Sequence, residues 1–140
     1  MQQLAGKWQS WTPMFLSIMR IIAAFVFIPS GASKLFNWPV PLPDGVTISF
    51  MSQAWVGGVL ELLGGSLLLL GLCTRPVAFL LSGMMAVAYF QFHAPGGFWP
   101  SGNGGTPAVL FCFVWLYISA AGPGPLSIDA LLARGRKQAG

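Results

Sequence analysis

Charge is what this chain has least of. Its 140 residues include seven Lys or Arg, three Asp or Glu and one His, so charged residues make up 7%, against about 25% in an ordinary soluble domain. Apolar residues reach 55% and the mean hydropathy is +0.71. A soluble fold of this size leaves too much surface exposed to hide that much apolar side chain. These figures exclude a soluble globular enzyme, a disordered chain and a coiled coil. They also exclude a nucleic-acid binder: the pI near 9.6 reflects a shortage of acids, not a basic patch.

Catalytic hardware is scarce too. One histidine cannot build a multi-His metal or haem site, so no metal ligand set and no intrinsic cofactor are expected. Cys73 and Cys112 are far apart and no Cys-x-x-Cys occurs, so both read as small apolar residues. No phosphate-binding loop, nucleophile elbow or zinc motif is found, and no catalytic residue is assigned. The six methionines read as packing.

What is there is hydrophobic length. A membrane helix takes roughly 20 mostly apolar residues. Four windows come close: Pro13 to Lys34, Ala54 to Leu72, Pro76 to His93, and the shorter Pro107 to Ala121. Pro13, Pro76 and Pro107 stand where helices can start. Gly122, Pro123 and Pro125 end the last one. Ala32-Ser33-Lys34 is a poor cleavage site, so the first span is expected to be retained. The sequence predicts an all-α fold: a four-transmembrane-helix bundle over residues 13–122, a cytoplasmic N-terminal segment over 1–12, and a tail over 123–140 with a short interfacial helix. In that helix Asp129 falls in the first turn and Arg134 and Arg136 in the last, as the helix dipole favours.

Lys7, Arg75, Arg134, Arg136 and Lys137 fall on one side of this topology, with Arg20 close by, and only Lys34 on the other. Both termini are therefore expected in the cytoplasm. The loops Leu35–Gln53 and Ala94–Thr106 then lie outside. They are rich in Pro, Gly and aromatics and serve as interfacial turns anchored by Trp38, Trp55 and Trp99, or as a lid over a site.

Residues at i, i+4, i+7 and i+11 share one helix face. One such face carries Arg20, Ala24, Phe27, Gly31 and Lys34. Others carry Gly57, Glu61 and Leu68; Ser82, Ala86, Tyr89 and His93; and Ala108, Cys112, Trp115 and Ser119. The ionisable residues share their faces with small ones, which mark helix–helix contacts in lipid. Glu61 lies about 10 Å below the outer end of its helix, and Arg20 about 21 Å below Lys34, by the helical rise. A buried carboxylate needs a partner. Arg20, Lys34 and Glu61 are therefore expected as a structural ion-pair set. Lys34, Glu61 and His93, with Trp38 and Trp99 as shields, form a candidate ligand site. Pro29 either kinks the first helix for packing or bends it open near Lys34.

The motifs Gly31-x-x-Lys34-Leu35, Glu61-Leu62-Leu63-Gly64-Gly65, Leu70-Gly71-Leu72-x-Thr74-Arg75, Phe92-His93, Asn103-Gly104-Gly105 and Gly122-Pro123-Gly124-Pro125-Leu126-Ser127-Ile128-Asp129 resemble the DoxX family of small four-helix membrane proteins. Many relatives carry Glu directly after Asn-Gly-Gly, where this chain has Thr106. The resemblance implies a bacterial-type inner-membrane location and a link to thiosulfate–quinone oxidoreduction and thiol-stress systems. It implies an accessory role in most members. Three functions compete: an accessory or structural subunit that docks on other membrane subunits or on itself, a quinone-linked redox protein binding a lipophile at Lys34, Glu61 and His93, and, with the least support because four short helices offer little pathway, a small-solute or proton carrier. The expected partners are the lipid bilayer and membrane proteins, not nucleic acid.

Overall fold

The computed structural model describes residues 2–138. Met1, Ala139 and Gly140, at the ends of the expected N-terminal segment and tail, lie outside the described residues, as does the side chain of Lys7. The described chain is all-helical. It comprises α1 (Gln2–Phe36), α2 (Gln53–Leu70), α3 (Thr74–Ala88), a short α4 (Pro100–Asn103), α5 (Thr106–Ala121) and α6 (Ile128–Gln138). A π-helical turn, Tyr89–His93, and a 3-10 turn, Ala94–Gly96, extend α3.

Helix α1 begins well before the expected start at Pro13 and passes through Pro13 and Pro29 as one helix. The expected boundary at residue 13 is therefore not a helix end. Elsewhere the prolines behave as start signals. Pro76 sits in the first turn of α3 and Pro107 in the first turn of α5, where a missing N–H costs no intrahelical bond. Ser52 caps α2 by accepting the Trp55 N–H at 3.2 Å. Gly71 ends α2 in the left-handed conformation, φ 68°. Its N–H and that of Leu72 return to Leu68 and Leu67, an ending that glycine adopts without steric cost.

Among the described residues, three stretches are long and apolar enough to cross a bilayer: Trp8–Phe36, Gln53–Leu70 and Thr74–Gly96. Helix α5 is apolar but shorter, at 16 residues. Helix α1 packs chiefly on α2 and α3 on α5, while α2–α3 and α1–α5 touch less. The molecule is thus two helix pairs laid side by side. The α1–α2 crossing is close because Gly31 lets it be. A Cβ there would stand 2.6 Å from both the Gly58 carbonyl oxygen and the Leu62 nitrogen, an overlap with backbone that no rotamer relieves. Ala24, Phe27, Leu68, Leu81, Trp115 and Ile118 form the centre of the core. The loops after α1 and α3 define one end of the bundle, the loop end. The α2–α3 turn and the segment after α5 define the other, the tail end.

Candidate functional site

Two polar centres occupy opposite ends. At the tail end Arg20 is fully buried, and its guanidinium spends every bond on backbone carbonyls. Nε donates to Pro123 and NH1 to Leu69, both at 2.9 Å. NH1 also donates to Leu68, and NH2 to Leu126. Leu68 and Leu69 are among the last carbonyls of α2, where intrahelical donors run out, and Leu68 shares its carbonyl with the Gly71 N–H. Arg20 closes α2 and ties the tail to it.

Arg75 does the same for the other pair, donating to Ser119 and Ala120 at the end of α5, at 3.0 and 2.5 Å. Asp129 completes the arrangement. Its carboxylate accepts the backbone N–H groups of Cys73 and Thr74 at 3.0 and 2.9 Å. Burial pushes the Asp129 carboxyl up, but the hydrogen bonds from Thr74 and Cys73 and the Arg20 charge outweigh it, so its pKa lies below the ordinary value.

At the loop end Lys34 and Glu61 form the expected ion pair. Lys34 Nζ lies 2.6 and 2.7 Å from the two Glu61 oxygens. Glu61 is 3% exposed and the Lys34 side chain 29%. Arg20 is not part of this pair. The helical rise separates it from Lys34 by about 21 Å, and the free carbonyls of α2 and the tail lie nearer. The expected three-membered ion-pair set is therefore a pair, with Arg20 in a separate carbonyl-binding role.

Lys34, Glu61 and His93 line one cavity of about 530 Å³ between the two helix pairs. Phe27, Met85, Phe92 and Phe111 supply much of its apolar wall. Two of the ammonium protons of Lys34 go to Glu61, which leaves a third for a ligand acceptor. His93 Nδ1 lies 3.2 Å from the Asn103 carbonyl oxygen. A carbonyl can only accept, so Nδ1 carries the hydrogen and Nε2 of the neutral ring is an acceptor.

The π-helical turn that brings His93 to the cavity is held by the loop beyond it. Asn103 Nδ2 donates to the Gly97 carbonyl at 2.6 Å, its Oδ1 accepts the Gly105 N–H at 2.7 Å, and the Tyr89 hydroxyl donates to Phe98. Gly105 presses on the Tyr89 ring so closely that a Cβ would stand 2.8 Å from it. The role of Asn103 as loop organiser was invisible to helical spacing, although the Asn-Gly-Gly run marked the place. Trp38 and Trp99 are 70% and 74% exposed and do not line the cavity, so they are not its shields. Thr106 is exposed and also outside the lining. Both cysteines are free thiols.

A helical membrane protein with a polar cluster at the loop end of an apolar cavity is the class these features define. The DoxX family profile matches residues 15–94, and the chain belongs to that family. It is similar to an uncharacterized protein of Haemophilus influenzae, 38% identical over 124 residues, covering 86% of this chain and 92% of the relative. A second uncharacterized protein of the same bacterium is 29% identical over 126 residues, covering 85% and 83%. No solved structure matches the chain.

Proposed function

We propose that the protein crosses the bilayer four times, with both termini cytoplasmic, and binds a quinone-like lipophile by its polar head in the loop-end half of the bundle. The observation that carries this reading is the convergence of Lys34, Glu61 and His93 on a single apolar cavity of about 530 Å³. A small-molecule site is mostly apolar with a few convergent polar groups, and this cavity has that make-up. The third Lys34 proton suits a quinone carbonyl. The Nε2 acceptor of His93 suits a quinol hydroxyl, whose hydrogen it can accept. Phe27, Phe92 and Phe111 would flank the ring.

The fourth span is α5, which packs along α3 and buries Ala108, Trp115 and Ile118. Arg75, Arg134, Arg136 and Lys137 lie towards the tail end, which supports a cytoplasmic placement of that end. Helical spans in place of a β-barrel support an inner membrane, and α6, with Leu131 and Leu132 exposed, would rest on its cytoplasmic surface.

The test is quinone affinity of the purified protein in wild type, Lys34→Ala and His93→Ala. The reading expects both variants to bind more weakly. Unchanged affinity in both overturns it. A second reading, an accessory subunit of a membrane complex, is favoured by the start of α1. There Trp8 and Trp11 are exposed, with ring centroids 6.1 and 6.5 Å from that of Phe15. Copurification from native membranes tests it: loss of a partner on Trp8→Ala and Trp11→Ala supports the docking role, and the absence of any partner removes it.

A further inference from the structure

A membrane lipophile has a tail as well as a head, and the tail must leave the cavity somewhere. Straight down the bundle the way is shut by Leu81 and Trp115, both fully buried. At the loop end the Gln53 amide donates to Gln91, and the loop organised by Asn103 is polar, a poor place for hydrocarbon. The exit is therefore sideways, between helices.

One seam is built for it. On the bilayer-facing side of α2 and α3 lies a second groove of about 520 Å³, lined almost wholly by apolar side chains. It shares Gln53, Gly57, Met84 and Val87 with the cavity, so the two spaces are separated by one layer of residues. Leu60, Phe79 and Leu80 continue it along the helices. Two glycines line this groove, one on each helix, without any packing reason. A Cβ on Gly57 or on Gly83 would meet nothing within 4 Å. The neighbouring Gly58 and Gly64 differ: a Cβ on either would stand 3.0 Å from Lys34 or Leu81. Those two glycines serve close packing, while Gly57 and Gly83 keep a slot open.

We infer that the α2–α3 groove is a side door through which the hydrocarbon tail of the bound lipophile passes into the bilayer. The ligand is then a single-tailed molecule that enters from the membrane, and the inference rests on the head-site reading above. Lipid tails are as apolar as leucine, so the groove adds little affinity of its own. Its contribution is passage: it lets the head reach Lys34 and His93 while the tail stays in hydrocarbon.

The experiment compares two probes on the protein in lipid nanodiscs: a benzoquinone without a side chain, and the same ring carrying a decyl chain. Gly83 lines the groove but not the cavity, so Gly83→Leu fills the door and spares the head site. The expected result is decyl-quinone binding weakened by about tenfold with binding of the tail-less ring unchanged. Leu80→Trp narrows the same groove from its exposed rim and carries the same expectation should Gly83→Leu fail to fold. Weakening of both probes alike, or of neither, overturns the side door and leaves the head site standing. Blocking by Val26→Trp, on the α1–α5 side, with the groove variants behaving as wild type, also overturns it. Failure of the wild type to bind either probe overturns the head site and the door together.

Discussion

Asp129 Oδ2 accepts the backbone N–H of Thr74 at 2.9 Å, across 55 positions of chain. Helix α3 needs this help, because its own N-cap residue, Cys73, sits in the left-handed region with no side-chain capping bond. The N–H of Thr74, an orphan donor of its first turn, and that of Cys73 before it are satisfied from the tail. The Asp129 N–H in turn donates to Gly71 at 2.9 Å, so the carboxylate is held in place by the turn it caps. Removing an N-cap side chain costs about 1 kcal/mol. Asp129→Ala should destabilise the fold by that order, read as a lower melting temperature, and Asp129→Asn, which still accepts, by less. Thermal unfolding in detergent measures both, and equal melting of wild type and Asp129→Ala would refute the capping role.

The same carboxylate fixes a pH dependence. Its folded pKa is lowered from the ordinary 3.8, despite the opposing effect of burial, by the Thr74 and Cys73 hydrogen bonds and the Arg20 charge. A lowered acid pKa means that the folded state holds its proton less readily than the unfolded one, so stability rises with pH and is lost on acidification. The contribution is complete above 3.8 and is lost as the pH falls through the lower folded value. Melting of wild type and Asp129→Asn should therefore converge on acidification through that window. Parallel curves would show that Asp129 adds no pH-dependent stability.

The Lys34–Glu61 pair makes a prediction by size and polarity. Glu61 is 3% exposed and Lys34 29%, so removing Glu61 leaves the half-buried Lys34 ammonium without its partner. Removing one member of a buried pair typically costs about 3–5 kcal/mol, and the partial exposure of Lys34 moderates that figure. Glu61→Gln, which still accepts a hydrogen bond, should melt above Glu61→Ala and Glu61→Leu. The order is read from thermal unfolding of the three variants, and a Gln variant no better than Leu would contradict a hydrogen-bonded pair.

Much of the bundle was legible in the residues, and the reason is periodicity. Each face predicted from helical spacing is the inward one: Arg20, Ala24, Phe27 and Gly31 are all buried, as are Glu61 and Leu68. The convergence of Lys34, Glu61 and His93 followed from depth along the helices. The failures were of two kinds. The start of α1 was missed because proline at position 13 is tolerated within a helix that continues through it. The caps were missed because they join residues far apart in sequence to backbone atoms, and backbone acceptors leave no trace in side-chain spacing. Arg20 was therefore matched to the nearest acid on paper, when its partners are carbonyls.

Arg20 is where that difference can be measured. Its guanidinium reaches Pro123, Leu68, Leu69 and Leu126, which no single-headed cation can do at once. Lysine keeps the charge but presents a compact ammonium in place of a planar fork. If Arg20 served mainly as a counter-charge, Arg20→Lys would resemble wild type. As a closure for four carbonyls, it should be hard to replace. Arg20→Lys should destabilise nearly as much as Arg20→Met, and both should loosen the tail, because the bonds to Pro123 and Leu126 are lost with the fork. Hydrogen exchange at Leu126, whose N–H donates to Ser17 Oγ at 3.2 Å, and at Asp129, whose N–H donates to Gly71, reads the tail directly. Both amides should exchange faster in both variants while those of the α1–α2 crossing near Gly31 stay protected. A Lys variant with wild-type melting and wild-type protection at these two amides would return Arg20 to the role of a simple charge.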